Sequence, residues 1–194
     1  MVYYTDRAGN QRTRKRPVLS ATSSDKQKGT RMKFSIAMQF LNPIRALINR
    51  SWCIQTSRGV LPFDDVLGKM IRGGIDGAYP DLQINHGAVQ ISGGKLDGPL
   101  NLTFEMAGDE AVLTREISPQ ISRTSSPDDI LHFVLVNDAK ESTMVFEQKA
   151  LRGDLSLRLA LPAKFWKDEL HGFFFFVNHN GKDASATTYR NYVQ

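Results

Sequence analysis

The sequence predicts a mainly β protein with N-terminal helices: an extended basic arm, two or three helices, and an antiparallel β-sandwich of about seven strands. Basic residues without a regular period concentrate near the N-terminus, and apolar residues then recur at helical spacing. After residue 80 the apolar period changes to two, which is typical of half-buried strands. We therefore expect an arm at 1–30, a helical segment at 31–80 and a sandwich at 81–194.

The basic charge is concentrated in the N-terminal third of the chain. The net charge is +5, yet residues 1–58 carry 12 Lys and Arg against 2 Asp and Glu, which gives +10. The remaining residues 59–194 carry 13 against 18, which gives −5. Such a basic segment can neutralise its own acidic domain, a neighbouring copy or a separate polyanion, because attraction needs only an opposite charge within a screening length of about 8–10 Å.

The arm supplies the candidate binding residues. A tight cluster at 12–16 precedes Pro17 and a Ser/Thr-rich stretch at 20–24, and this pattern favours extended or disordered backbone. An extended strand would place neighbouring tyrosines on opposite faces. The residues predicted to contact a partner are the arm's aromatic pair and its cations: Tyr3, Tyr4, Arg7, Arg12, Arg14, Lys15, Arg16, Lys26, Lys28, Arg31 and Lys33.

Two helical patterns follow the arm. The first begins at about Asp25 and places six apolar residues on one stripe: Met32, Ile36, Phe40, Ile44, Leu47 and Ile48. Pro43 predicts a kink, or two helices that meet with Asn42 as N-cap. The second begins with Pro62 at its first position and ends at Gly73-Gly74. We expect Trp52 to pack between the two helices.

Short apolar runs separated by turn residues predict the sandwich. Alternating patterns occur around 89–91, 102–106 and 155–161, and a shorter run at 111–113 fits a strand less clearly. The runs at 130–136 and 173–177 are almost continuously apolar, which predicts central strands covered on both faces. A final strand within 184–193 is expected to pair with the Phe-rich run through a hairpin at Asn180-Gly181.

Short motifs along most of the chain resemble an uncharacterised protein family found mainly in Bacteroidota. They are RMKF at 31–34, FLNPI at 40–44, GAYP at 77–80, ISGGKL at 91–96, LPA at 161–163 and DELH at 168–171. The resemblance implies a basic arm, a helical segment and a C-terminal immunoglobulin- or fibronectin-like sandwich. It implies no activity.

No pattern in the sequence predicts a catalytic, metal or cofactor site. Cys53 is the single cysteine, which excludes an internal disulfide and any multi-cysteine metal site, and its apolar neighbours favour an inert thiol. His86, His132, His171 and His179 show no metal-ligand spacing with one another or with cysteine. Phosphate-binding loops, nucleophile elbows and dinucleotide fingerprints are also missing from the sequence. We therefore expect no enzyme, no cofactor and no small-molecule substrate.

These observations predict a non-enzymatic structural or interaction protein, a subunit of a larger assembly. The basic arm would dock on neighbouring copies, as in a homo-oligomer, or on another protein by arm exchange or strand addition. Virions, filaments and secretion machines use such parts. The alternative is a nucleic-acid-binding protein whose arm contacts phosphates. The chain has no apolar run that could span a bilayer, and residues 1–7 do not resemble a secretory signal, so we expect cytoplasmic synthesis. From the assembly hypothesis we expect the protein to be incorporated in a virion or another large particle.

Overall fold

Helices and two β-sheets form three stacked layers in the computed structural model, which describes residues 1–6, 9–16, 23–55, 59–118 and 121–193. The helices cover one face of a four-stranded sheet, and a three-stranded sheet covers the other face. The protein is therefore mainly β with N-terminal helices, as the sequence predicts.

The first described element is a β-hairpin. Strands β1 (Val2–Thr5) and β2 (Gln11–Arg14) pair antiparallel, and the Asp6 carboxylate accepts a hydrogen bond from the backbone N–H of Asn10 at 2.9 Å. The turn uses Gly9 at φ +84°, a conformation that glycine adopts without steric cost. The sequence predicts extended backbone here but not the pairing, because β2 is entirely polar and shows no alternation.

A nearly continuous helical region follows. Helix α1 (Asp25–Leu41) starts with Ser24 as N-cap in a reciprocal capping box with Gln27, so it begins at Asp25, where the apolar pattern predicts the first helix. A 3₁₀ turn at Asn42–Ile44 then leads directly into α2 (Arg45–Ser51). The interruption predicted at Pro43 is present. The prediction of Asn42 as an N-cap is wrong, because its φ of −56° and ψ of −44° are helical.

Helix α3 (Pro62–Gly73) agrees with the sequence prediction at both ends. Proline occupies its first turn, Gly74 is its C-cap, and Phe63, Val66 and Met70 are buried. Trp52 is also buried, and its indole N–H donates to Asp65 of α3 at 3.0 Å, so it joins the end of α2 to α3. Among the described residues, no helix combines the length and hydrophobicity that crossing a bilayer requires.

A small hairpin links the helices to the sheets. Strands β3 (Ile75–Ala78) and β4 (Asp81–Ile84) pair antiparallel around a turn that contains a cis bond before Pro80. A 3₁₀ turn at His86–Ala88 follows. The strand predicted at 89–91 is wrong: Val89 and Ile91 are buried in the core without lying in a strand.

Seven strands form the two larger sheets. The three-stranded sheet contains β5 (Leu100–Ala107), β6 (Glu110–Glu116) and β9 (Ser156–Ala160) in the order β5-β6-β9. The four-stranded sheet contains β7 (Ile130–Asn137), β8 (Ser142–Leu151), β10 (Leu170–Val177) and β11 (Thr188–Tyr192) in the order β11-β10-β7-β8. All pairs are antiparallel, and β11 pairs with the Phe-rich β10 as predicted.

The two faces of β7 and β10 line two separate cores. Phe133, Phe174 and Phe176 face the three-stranded sheet and pack in a cluster with its residues Leu102, Phe104 and Leu113. Val134, Val136, Phe173 and Phe175 face the opposite way and pack against the helices. Both strands are central in their sheet and covered on both faces, which confirms the prediction drawn from their continuously apolar sequences.

Candidate functional site

The N-terminal hairpin presents aromatic and basic side chains to solvent. Tyr3 is 72% exposed and Tyr4 is 47% exposed. The Arg14 guanidinium lies 5.7 Å from the ring centroid of Tyr4, and Arg12 pairs with Asp6 at 3.1 Å. Lys15 and Arg16 follow β2 and are exposed. The predicted site residue Arg7 lies outside the described residues.

The other predicted cations lie on α1 and divide into two groups. Lys26 and Arg31 are exposed, and Lys28 pairs with Asp25 at 3.0 Å while its ammonium lies 5.7 Å from the ring centroid of Tyr79. Lys33 differs, because its ammonium donates to the backbone carbonyl of Ile75 at 3.3 Å. Lys33 thus ties α1 to β3, and the structure gives it a role within the fold rather than in an arm.

Acidic side chains lie on the outer face of the three-stranded sheet. The inner face of β5 and β6 contributes Leu102, Phe104 and Leu113 to the core, so the alternating residues point outward. Three of these outward residues are Glu105, Glu110 and Glu116. The adjacent strand β9 of the same sheet places Arg158 3.7 Å from Glu110.

A histidine–carboxylate cluster forms where the 3₁₀ turn after β4 meets the four-stranded sheet. His86 lies in that turn, Asp138 follows β7, and His171 is the second residue of β10. The two imidazole rings stack with centroids 3.7 Å apart and planes inclined by 15°. Nε2 of His86 lies 2.7 Å from Oδ2 of Asp138, and Nε2 of His171 lies 3.7 Å from the same oxygen.

Strand register and aromatic packing fix this arrangement. His171 pairs with Val136 of β7, so β10 brings its imidazole beside the turn that carries Asp138. Tyr189 of β11 adds a hydrogen bond of 2.9 Å between its hydroxyl and Nδ1 of His171. Phe40 and Phe173 lie with ring centroids 5.8 Å and 6.1 Å from that of His86.

Burial and the neighbouring charges shift the proton affinities in this cluster. The pKa of His171 is lowered, chiefly by burial and further by His86, while Asp138 opposes the shift. The pKa of the Asp138 carboxyl is also lowered, chiefly by its hydrogen bond with His86. Burial raises the pKa of Tyr189, and the nearby carboxylates add to this effect. The cluster thus combines a neutral His171, an ionised Asp138 and a protonated tyrosine at neutral pH.

The cluster is the only group of His, Cys, Asp and Glu among the described residues whose ligand atoms converge, all within 4.8 Å of one another. His86 is only 8% exposed, and its Nδ1 has no hydrogen-bond partner among the described residues. Burying an unpaired polar nitrogen costs about 1–3 kcal/mol. Neutral imidazoles and a carboxylate are the donor types that bind zinc and related divalent metals.

A cleft of about 230 Å³ opens beside the cluster. Asp138 lies in its wall, together with the apolar residues Phe40 and Ile84 and the polar residues Gln39 and Glu141. The carboxylate of Asp138 is about half exposed, with 52% of its side-chain surface accessible. The cluster is therefore reachable from solvent through one of its members.

The sequence did not predict this cluster, because its members are far apart along the chain and share no local motif. His86 and Asp138 are 52 residues apart. The available signals were a histidine directly after a hairpin and an Asn-Asp turn directly after a buried strand. The register of β7 and β10 places His171 beside Asp138, and the 3₁₀ turn adds His86.

Cys53 lies beside the helices as a partly buried thiol. Its sulfur is 3.8 Å from the backbone carbonyl of Arg50, and burial raises its pKa. A raised pKa reduces the thiolate fraction and with it the nucleophilicity of the residue.

The buried imidazole of His132 predicts an acid-sensitive fold. Burial lowers the pKa of His132, Glu147 opposes this shift, and Arg50 adds to it. The unfolded chain binds this proton at a pKa of about 6.5, so acid favours unfolding below that pH until the lowered folded-state pKa is reached. In His132→Phe the new ring can stack on Phe175 as the imidazole does. As the pH falls from about 7 to about 5, we expect the melting temperature of this variant to decrease less steeply than that of the wild type.

The matched control for this prediction is His179→Phe, because His179 is exposed. Its melting temperature should follow the wild-type pH dependence. Parallel pH curves for His132→Phe and the wild type would show that the imidazole does not couple folding to protons.

Comparison with known proteins places the chain in a family. The model of a family of unknown function, DUF6266, matches residues 8–191 and covers nearly the whole chain. No curated protein sequence matches the chain. The match agrees with the resemblance to an uncharacterised family seen in the sequence motifs. By this match, the chain belongs to the DUF6266 family of unknown function.

Proposed function

We propose that the protein is a non-enzymatic interaction protein whose basic hairpin docks on the acidic outer sheet of a neighbouring copy. The observation that carries this proposal is the exposure of both tyrosines of β1 beside the cations of β2. The proposed assembly is a homo-oligomer, of the kind that virions, filaments and secretion machines contain.

The hairpin has little to stabilise it on its own. Two-stranded hairpins are marginal in water without a third strand or a packed face. Here all four residues of β2 are exposed, as are three of the four in β1. A partner surface would bury Tyr4 together with Arg12 and Arg14, which lie on the same face of the hairpin, and would supply this missing face, with main-chain bonds available at either hairpin edge.

Charge complementarity makes a second copy of the chain a suitable partner. Arg12, Arg14, Lys15 and Arg16 are exposed on or beside β2, while the outer sheet face carries Glu105, Glu110 and Glu116. Attraction between opposite patches raises the association rate and fixes orientation. The contact would be head-to-tail, and such contacts close into rings or extend as filaments.

We further propose that the two larger sheets form an immunoglobulin- or fibronectin-like sandwich. The support is the strand order, with β5-β6-β9 in one sheet and β11-β10-β7-β8 in the other. This order matches sheets of strands A-B-E and G-F-C-C′ when β5 is taken as strand A. Sandwiches of this class are common scaffolds of interaction proteins.

The test replaces Arg12, Arg14, Lys15 and Arg16 together by serine. We expect the melting temperature of the monomer to change little, because exposed substitutions remote from a core shift stability by about 0.5 kcal/mol or less. Sedimentation velocity should show the wild type assembling at low salt and the quadruple variant remaining a monomer, because the docking charges are gone.

The matched control replaces four exposed cations outside the hairpin: Arg72, Lys95, Lys149 and Lys182. This variant loses the same charge and should still assemble. A wild type that is monomeric at every concentration and salt, or a quadruple hairpin variant that assembles normally, contradicts the proposal. A further variant, Glu105→Lys with Glu116→Lys, should also lose assembly if the outer sheet face receives the hairpin.

Nucleic-acid binding is the second candidate, favoured by the tyrosines that lie exposed beside arginines. Aromatic side chains stack on unpaired bases, and each contacted phosphate adds about −0.7 to the salt slope on a single strand. Binding of a labelled single-stranded oligonucleotide should then weaken steeply with salt and be lost in the hairpin variant. Equal binding by wild type and hairpin variant would exclude this function.

A further inference from the structure

We propose that His86, Asp138 and His171 bind one zinc ion, with Tyr189 positioning His171 and a fourth coordination position open to the adjacent cleft. The three ligands come from three separate elements that the fold brings to one end of the four-stranded sheet. This site is independent of the hairpin and of its proposed docking role.

The hydrogen bonds of the cluster leave a place for a cation. In the tautomer in which Nδ1–H of His171 donates to Tyr189, Nε2 of His171 presents a lone pair. That lone pair lies 3.7 Å from Oδ2 of Asp138, which is also an acceptor. A cation between the two acceptors would satisfy both, with neutral His86 carrying its proton on Nδ1 so that Nε2 presents its lone pair to the ion. Histidine ligands of metals commonly donate their other N–H to a fixed partner, as Nδ1–H does here to Tyr189.

The ligand-atom distances are near those of a zinc site, while the two imidazole planes, which are stacked within 15° of each other, must splay so that both lone pairs point at one ion. Two ligand atoms about 2.0–2.1 Å from a tetrahedral zinc ion lie about 3.3 Å apart. The 3.7 Å between His171 and Asp138 is close to this value, and the 2.7 Å between His86 and Asp138 must open slightly. Asp138 lies in the turn after β7 with about half of its side chain exposed, so its carboxylate has room to move.

Aromatic side chains and the cleft define the surroundings of the cluster. Phe40 and Phe173 pack beside the His86 ring, and the cleft at Asp138 provides an approach from solvent.

Two histidines and one carboxylate leave zinc short of its usual four ligands. Closed structural sites use four protein ligands, whereas sites with three keep a position for water or another small ligand. The cleft beside Asp138 is the direction from which that ligand would come. Its lining combines the polar side chains of Gln39 and Glu141 with the apolar side chains of Phe40 and Ile84.

The test is calorimetric titration of ZnCl₂ into metal-stripped protein that carries no histidine tag. We expect one zinc ion per chain. Asp138→Asn keeps an acceptor for His86 but removes the charge, and Tyr189→Phe removes only the partner of His171. Loss of such a positioning partner typically weakens metal binding about 10- to 100-fold, and we expect Asp138→Asn and His171→Gln to weaken it further.

His132→Gln and His179→Gln are the matched controls, since both remove a histidine outside the cluster and should bind zinc as the wild type does. Cobalt substitution gives a second readout: the visible absorption of bound Co²⁺ should be present in the wild type and lost in Asp138→Asn. Circular dichroism checks that each variant is folded. If His171→Gln does not fold, Tyr189→Phe tests the role of His171 in its place. Failure of the wild type to bind zinc, or equal losses in the control variants, would overturn the proposal.

Discussion

Replacing Phe174 by alanine is expected to lower the free energy of unfolding by about 3–5 kcal/mol, because it leaves a large cavity in a well-packed core. Phe174 is fully buried on the central strand β10. Its ring lies between Phe133, at 5.4 Å between centroids, and Phe104, at 5.7 Å. It therefore joins the four-stranded sheet to the three-stranded sheet, and no single neighbour can fill its volume.

Gly172 is a second reason to expect a large loss of unfolding free energy in Phe174→Ala. A Cβ atom at Gly172 would lie 2.4 Å from Cε2 of Phe174, so the ring packs over a backbone that carries no side chain. Gly172, two residues before Phe174 on the same strand, thus leaves free the space that the ring of Phe174 occupies. The site has few ways to collapse when the ring is removed.

Urea denaturation at fixed temperature measures this effect, with the slope m checked for constancy. Phe34→Ala is the matched control, because Phe34 lies on α1 and is 50% exposed. That variant should change the unfolding free energy by no more than about 0.5 kcal/mol. Similar losses for the two variants would show that the interface between the sheets does not dominate the stability.

The layered fold follows from the sequence where the apolar pattern is strong. The runs around Phe133 and Phe174 have no polar alternation, which identifies central strands, and Pro62 with Gly73-Gly74 delimits α3. The strand β8 (Ser142–Leu151) was missed because its burial does not alternate regularly: it is an edge strand, and its pairing with β7 shifts register between Leu131 and Phe133. Pattern analysis depends on a regular period, which an irregular edge strand lacks.

The two candidate sites differ in how far the sequence could predict them. The hairpin cations are a local cluster and were identified from the sequence, but their pairing with an aromatic strand depends on a turn at Gly9. The cluster of His86, Asp138 and His171 depends on strand register and on the position of a 3₁₀ turn, which no local spacing encodes. Isolated histidines are usually structural, so their convergence could be recognised only in the folded chain.

Removing Asp129 from its buried ion pair is the second change with a large expected effect. Asp129 is fully buried and Arg152 is 9% exposed, with Nε of Arg152 3.0 Å from Oδ2 of Asp129. The arginine also donates to the backbone carbonyl of Asp97 at 2.7 Å, and its guanidinium carbon lies 4.0 Å from the ring centroid of Phe176. This pair thus joins the turn before β7 to the end of β8.

Asp129→Ala should cost about 3–5 kcal/mol of unfolding free energy, since it leaves the Arg152 charge buried without its counterion. The exposed pair of Lys28 and Asp25 provides the control: Asp25→Ala should cost about 1 kcal/mol or less.

The double variant Asp129→Leu with Arg152→Met separates two causes of this loss. Replacing both charges by apolar groups of similar size is often neutral or stabilising, so the double variant should recover most of the stability that Asp129→Ala loses. Recovery would show that the unpaired charge causes the loss. A double variant as unstable as Asp129→Ala would instead show that the hydrogen bonds of this pair to Ser126 and Asp97 hold the loops in place, and that the ion pair serves mainly as their anchor.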